Sequence, residues 1–467
     1  MTEWGFYLSP DRNIVIIGCG ASGGTAAQFT RKTDRKATIT VFEKGKYPQY
    51  SKCGLPYVIS GDIPSFDGLV EFSEEWFKKA GITLHLNTTI EKIDTKKQVV
   101  IAKKGNETFE QSYDSLIIAT GAKPSIPPIQ NIQENGKLVG GVHILRTIDD
   151  AKQISSFVKK GKKATIIGAG LIGLEMADSL HKKGMDVTIV EALLGVLPNT
   201  LDEDMREIVF GEIIKNVSLH LNSLATKIES KNGSITKVVI KNNQTREEKK
   251  IDTDLLIIAT GCKPDVTLAK IAGCEIGKTG GIIVNEKSET SVKNIYAAGD
   301  CTEYKDFVTK QPVLIGLGSI GVRQGITAGT NAAGGDYKLP QGVLQTCTSE
   351  FFGLEIAAVG PNTNHMQNIP TISGKFNGSS LPEYFPGGKP ISVKVIAHQE
   401  TGKIMGAQAV GYNAAQRINT FACAILNEMD VETFRKLETA YAPPIAPTLD
   451  AVTLACDVVS LKLARRK

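Results

Sequence analysis

Short, continuous apolar runs rich in β-branched residues punctuate this chain, and several lead directly into a glycine turn and a helix-like stretch. The run Asn13-Ile14-Val15-Ile16-Ile17 reads as a parallel strand buried on both faces. Gly18 to Gly24 turns after it, Thr25 to Lys32 reads as a helix, and Ala37 to Glu43 is a second strand ending on an acid. Leu69 to Gly81 predicts a helix, and Ile82 to Val100 is strand-rich around a turn at Asp94 to Lys97. Leu116-Ile117-Ile118 runs into Ala119-Thr120-Gly121. The pattern then begins again. Ala164 to Ile167 is a strand, a glycine turn opens at Gly168, a helix follows to about Lys183, and the strand from Asp186 again ends on an acid, Glu191. Leu255 to Pro264 echoes Leu116 to Pro124. Such a repeat means two units of one architecture in one chain. Gly316 to Gly335, rich in glycine and alanine, predicts a closely packed helix. From about Cys347 the strands alternate and two late helices follow, which predicts an α+β region.

The glycine turns carry specific chemistry. Gly18, Gly20 and Gly23 have the spacing G-x-G-x-x-G, and Glu43 lies twenty residues after the third. The first glycine makes a tight turn, the second lets backbone approach a pyrophosphate, and the third lets helix pack on strand. Free N–H groups at the helix N-terminus favour the phosphates, and the acid accepts hydrogen bonds from a ribose. Gly168, Gly170 and Gly173 repeat the glycine spacing, and Glu191 again ends the following strand. Two dinucleotide-binding units imply two cofactors.

The segment Ser51-Lys52-Cys53-Gly54-Leu55-Pro56-Tyr57 holds one cysteine, Cys53, which comes ten residues past Glu43. The seven other cysteines are scattered, with no CxxC and no zinc spacing. Cys19 and Cys301 read as packing residues. At 467 residues, 41% hydrophobic and 22% charged, the chain fits a globular protein of two to four domains. A net charge of +5 with no long basic block argues against nucleic acid, and Arg465-Arg466-Lys467 reads as a solvated tail. No apolar run reaches about 18 residues, so no membrane span is expected. Met1 to Tyr7 lacks a signal-peptide pattern, and the expected location is the reducing cytoplasm. The first ten or so residues read as a short extension.

These motifs, together with Tyr296-Ala297-Ala298-Gly299-Asp300, closely resemble the flavin-dependent pyridine nucleotide-disulfide oxidoreductases over nearly the whole chain. The resemblance implies two Rossmann-like α/β domains and a C-terminal α+β dimerisation domain. It divides the chain into an FAD-binding part at 12–148, an NAD(P)H-binding domain at 149–275, a second FAD-binding part at 276–345 and a dimerisation domain at 346–467. By resemblance FAD is held by Gly18, Gly20, Ser22, Gly23, Glu43, Lys44, Thr120, Gly121 and Asp300. NADH or NADPH is held by Gly168, Gly170, Ile172, Gly173, Glu175, Glu191 and Gly261. Glu191 favours NADH, since an acid there accepts the ribose 2′-hydroxyl and repels a 2′-phosphate. Arg31 and Lys32 either coat a helix or meet the phosphates of coenzyme A.

Members of the glutathione reductase type carry a second cysteine five residues after the first and a His-Pro pair. Here Val58 stands at that place, and none of the six histidines precedes a proline. The chain is therefore similar to the single-cysteine branch. Peroxidases and many oxidases of that branch have a histidine in the first glycine loop, where this chain has Ala21-Ser22. Cys53-Gly54-Leu55-Pro56-Tyr57, Tyr384-Phe385-Pro386-Gly387 and Tyr441-Ala442-Pro443-Pro444 resemble coenzyme A disulfide reductases. The chain departs from them at Ile445-Ala446-Pro447, where they have an aromatic residue and serines. The resemblance implies a homodimer in which Tyr384 and Tyr441 reach the other subunit's Cys53. The expected activity is transfer of electrons from NAD(P)H through FAD to Cys53 and on to a small disulfide, persulfide or polysulfide. The alternatives are an NADH oxidase reducing oxygen, or a flavoprotein relaying electrons to a partner.

Overall fold

The computed structural model describes residues 12–466, so the N-terminal extension and Lys467 lie outside the described residues. The first unit is a five-stranded parallel sheet in the order 295–297, 115–118, 13–17, 38–42, 83–85. The second is a parallel sheet in the order 142–144, 255–258, 163–167, 186–190, 218–220. Their central strands are nearly all apolar because both faces are covered. The correspondence extends to single hydrogen bonds. Gly18 N donates to Phe42 O at 2.7 Å and Gly168 N to Val190 O at 2.8 Å. Ala119 N reaches Ile17 O, and Ala259 N reaches Ile167 O, both at 2.8 Å. Each unit also carries a three-stranded antiparallel meander, at 89–112 and 223–252. A two-stranded ribbon, 122–124 against 262–264, ties the units together.

The helices in chain order are α1 (Ala21–Thr33), α2 (Leu55–Ser60), α3 (Glu74–Lys79), α4 (Ile148–Phe157), α5 (Leu171–Lys182), α6 (Glu203–Asn216), α7 (Thr267–Ile271), α8 (Gly318–Ala332), α9 (Ala414–Leu426), α10 (Val431–Phe434) and α11 (Ala451–Ala464). The helix expected over Leu69 to Gly81 is shorter. Val70–Phe72 is a strand that pairs with 49–50, and Ser73 caps α3 by accepting from Trp76 N. The cap residue, with acids in the first turn, starts the helix late. The chain enters the second sheet at 142–144, ahead of residue 149. It rejoins the first core by α7, since Ala269, Ala272 and Cys274 pack with Leu116 and Ile118, ahead of residue 276. Both crossings use short apolar segments that add to an existing core.

The predicted glycine-rich helix is α8, and it crosses α1 at close range. Side chains on Gly325 and Gly329 would collide with the carbonyls of Ser22 and Ala26. The C-terminal domain is an antiparallel sheet in the order 347–351, 354–359, 404–411, 390–398, 371–379, covered by α9 to α11. Its edge strand 347–351 stays paired with 354–359 but turns one face to a different core. Phe351 is fully buried in the core around α5, beside Leu174, Ala177 and Leu55. No helix among the described residues is long and apolar enough to cross a membrane.

Candidate active site

Two cradles lie at the carboxyl ends of the two parallel sheets. Gly18 has φ +98° and Gly168 φ +109°, and side chains on Gly23 and Gly173 would strike the carbonyls of Gly18 and Gly168. Gly20 and Gly170 differ: a Cβ on either would meet nothing within 4 Å. The open space lies at the N-termini of α1 and α5, which begin one residue later. Neither helix has a side-chain cap, so its first N–H groups are free for an anion. This shape fits a dinucleotide pyrophosphate in each cradle.

An acid flanks each cradle in the same way. Glu43 accepts from Cys19 N at 2.8 Å and Gly45 N at 2.7 Å, and Glu191 accepts from Ala169 N at 2.7 Å and Leu193 N at 2.9 Å. These bonds fix both carboxylates beside their glycine loops. Ile172 is an exposed apolar side chain in the first turn of α5. Lys44 is exposed. Ser22 is buried, with its hydroxyl wedged against Gly299 and Gly321 at the α1–α8 crossing. Thr120 donates to Asp265 O across the ribbon at 2.6 Å, and Gly121 and Gly261 take positive φ at its two ends. Asp300 pairs with Arg146 at 2.9 Å. Arg146 had no motif to mark it, because it stands just before the capping box of Thr147 and Asp150. Arg31 is occupied by four carbonyls, of Asp34, Arg35, Ala80 and Gly81, and so is a structural residue. The Lys32 ammonium lies over the Phe29 ring.

Cys53 lies in a 3₁₀ turn, Lys52–Gly54, that runs directly into α2. Ser51 N donates to Leu69 O, Pro56 sits in the first turn of α2 where its missing N–H costs nothing, and Leu55 and Ile59 bury against α5. The sulfur is thereby held at the end of α8, where a Cβ on Gly318, the first residue of that helix, would stand 3.9 Å away. A helix N-terminus favours a thiolate. Here the larger effects oppose it: Cys53 opens to solvent on one side but is otherwise hemmed in by protein, and burial followed by the charges of Glu175 and Asp300 raises its pKa. Arg146 works in the other direction. Lys52 has its pKa lowered, first by burial and then by Arg146. Cys19 and Cys301 are buried packing residues, and their thiols are pushed up chiefly by burial.

Tyr384 and Tyr441 meet each other. Their hydroxyls are 2.7 Å apart, and the side chains are 69% and 48% exposed. No hydrogen bond joins either to Cys53 of the same chain among the described residues. Ile445 and Leu449, close by in sequence, are exposed apolar side chains.

The residues that sequence reasoning missed sit on the far side of Cys53. Glu175 accepts from Ser349 Oγ at 2.6 Å, and the charge of Glu175 also bears on the Tyr57 phenol. Tyr57 closes the cysteine motif, which by itself assigns it no role, and Ser349 has no local signal because it is remote in sequence. No cluster of three or more metal-ligating side chains occurs among the described residues.

With this geometry in hand, comparison with known proteins gives the class. The family described as pyridine nucleotide-disulphide oxidoreductase matches residues 12–332, and its dimerisation domain matches residues 346–452. The chain belongs to this family, whose FAD and NAD(P)H requirement matches the two cradles. It is 39% identical over 461 residues to an NADH oxidase of Methanocaldococcus jannaschii, covering 97% of this chain and 99% of that one. It is 34% identical over 453 residues to an NAD(P)H sulfur oxidoreductase (CoA-dependent) of Pyrococcus abyssi, covering 96% and 98%. Among solved structures, an NAD-dependent persulfide reductase from A. fulgidus superposes with a TM-score of 0.91 at 34% identity, covering 96% of this chain and 83% of that one.

Proposed function

We propose that this protein is an FAD-dependent NAD(P)H:disulfide oxidoreductase that delivers electrons to Cys53 and then to a small disulfide such as coenzyme A disulfide, or to a persulfide or polysulfide. The observation that carries the reading is Cys53 itself: a solvent-reachable thiol between two dinucleotide cradles, with Val58 where an internal disulfide partner would stand. Bound flavin supplies the hydride acceptance from nicotinamide and the reduction of an oxidised Cys53. The first cradle, with Glu43, Thr120, Gly121 and Asp300, holds FAD. The second, with Glu191, Ile172 and Gly261, holds the nicotinamide coenzyme.

The chain's own chemistry is thiol–disulfide exchange. The Cys53 thiolate attacks one sulfur of the substrate, a new Cys53–substrate disulfide forms, and the second half leaves as a thiolate that takes a proton. The N-terminus of α8 and Arg146 favour the attacking thiolate. The exposed Tyr384–Tyr441 pair, with Ile445 and Leu449, makes the face of a homodimer and supplies hydroxyls to the partner subunit's site. NADH is the favoured donor, because Glu191 is held beside the second glycine loop, where an acid accepts a ribose 2′-hydroxyl and repels a 2′-phosphate. The cytoplasm is the proposed location.

Cys53→Ser tests the reading. The variant is expected to keep its flavin and to lose disulfide reduction by roughly four orders of magnitude. A variant that still reduces coenzyme A disulfide at the wild-type rate sinks the assignment. The 39% identical NADH oxidase favours oxygen as a second acceptor. Mass spectrometry of purified protein separates the two: a coenzyme A adduct on Cys53 supports disulfide reduction, and a sulfenic acid supports the oxidase.

A further inference from the structure

Three parts of the chain meet at the carboxylate of Glu175. The residue lies in the second turn of α5, five residues beyond Gly170, the open glycine of the second cradle. Its charge acts on both Cys53 and Tyr57. It therefore lies on the helix that opens the second cradle, within reach of the Cys53 sulfur by its charge. Among the described residues no cation pairs with Glu175, and Ser349 is the side chain that donates to it.

Ser349 comes from the C-terminal domain. On its strand Cys347, Ser349 and Phe351 share one face. Phe351 is fully buried in the core around α5, and Cys347 packs against the same core. One hydroxyl thus interrupts an apolar row where it faces one half-buried carboxylate. The single proton of the Ser349 hydroxyl goes to Glu175.

We infer that Ser349 is a positioning residue for Glu175, through which the dimerisation domain sets the orientation and ionisation of the carboxylate beside the nicotinamide site. The inference rests on the function proposed above. Burial raises the Glu175 pKa, and the Ser349 hydrogen bond holds it down. The other titratable groups around this cluster are Cys53 and Tyr57 from the α2 segment, Glu350 from the Ser349 strand, and Asp178 and Lys182 on α5 itself. Tyr57 is pushed up to about 12, first by burial and then by Glu175 and Glu350, so its phenol keeps its proton across the working range.

The test uses FAD-loaded Ser349→Ala and Ser349→Thr proteins, each first checked by thermal midpoint. NAD+ affinity is followed from the flavin absorbance change at a series of pH values. Flavin reduction by NADH is timed anaerobically over the same range. Ser349→Ala is expected to move the acid limb of both profiles up by about one pH unit. Ser349→Thr should restore the wild-type limb. Profiles for Ser349→Ala that superimpose on wild type in a normally reducible enzyme overturn the inference alone. So does a threonine variant that behaves like alanine. Wild-type flavin that neither NADH nor NADPH reduces overturns the proposed function, and this inference with it.

Discussion

The two glycine-loop units have the same strand order, the same hydrogen bonds at the turn and the same acid, yet different elements cover their first helices. Helix α1 is sealed by α8, with small residues meeting at the crossing: Ser22, Ala26 and Thr30 against Gly321, Gly325 and Gly329. Helix α5 is covered instead by α2 and by the strand of Ser349 and Phe351. The first helix has the flank behind its glycine loop closed off, and its N-terminus opens on the cradle. The second shares its flank with the redox cysteine and with a third domain. On the proposed function, a duplicated nucleotide cradle becomes a reaction centre through what packs beside it, since the cradle geometry itself is closely matched in the two copies.

The largest effects come from breaking one copy at a time. Gly23→Val and Gly173→Val drive a side chain into the same carbonyl in the two units. Gly23→Val is expected to abolish flavin retention, read as loss of visible absorbance after gel filtration. Gly173→Val is expected to keep the flavin and to lose its bleaching by NADH. If both variants lose flavin equally, the assignment of one cofactor to each unit is wrong.

A smaller effect separates the two acids. Glu191→Gln keeps the shape of the loop and removes the charge, so kcat/KM for NADH relative to NADPH should fall about tenfold, or ~1.4 kcal/mol. Glu43→Gln should leave that ratio unchanged. A ratio that stays constant in Glu191→Gln would remove the case for NADH.

The smallest concerns the sulfur beside the shared flank. In flavin-free protein, burial with Glu175 and Asp300 holds the Cys53 thiol above its ordinary pKa, so the neutral thiol persists to higher pH than in a free cysteine. Its alkylation rate should still be rising where a free cysteine has levelled off. Asp300→Asn removes one of the opposing charges and should bring the plateau to lower pH. An alkylation profile that levels off below that of free cysteine would contradict this balance of charges.

Much of this was legible in the chain because the signals are local. Glycine spacing, the strand before it and the acid after it act within one βαβ unit, so Gly18 to Glu43 and Gly168 to Glu191 were readable as cradles. Cys53 was readable because its partner's absence, at Val58, is also local. Leu69 to Gly81 misled because apolar content does not reveal a cap, and Ser73 delays the helix.

What the sequence by itself determined, then, is the pair of cradles, the lone cysteine and the order of the domains, all properties of contiguous residues. Only the tertiary structure decided that Arg146 pairs with Asp300, that Tyr384 and Tyr441 meet each other, and that Ser349 reaches Glu175 from another domain. Those contacts join residues 57 to 174 positions apart, and nothing in the local pattern of either partner encodes the other.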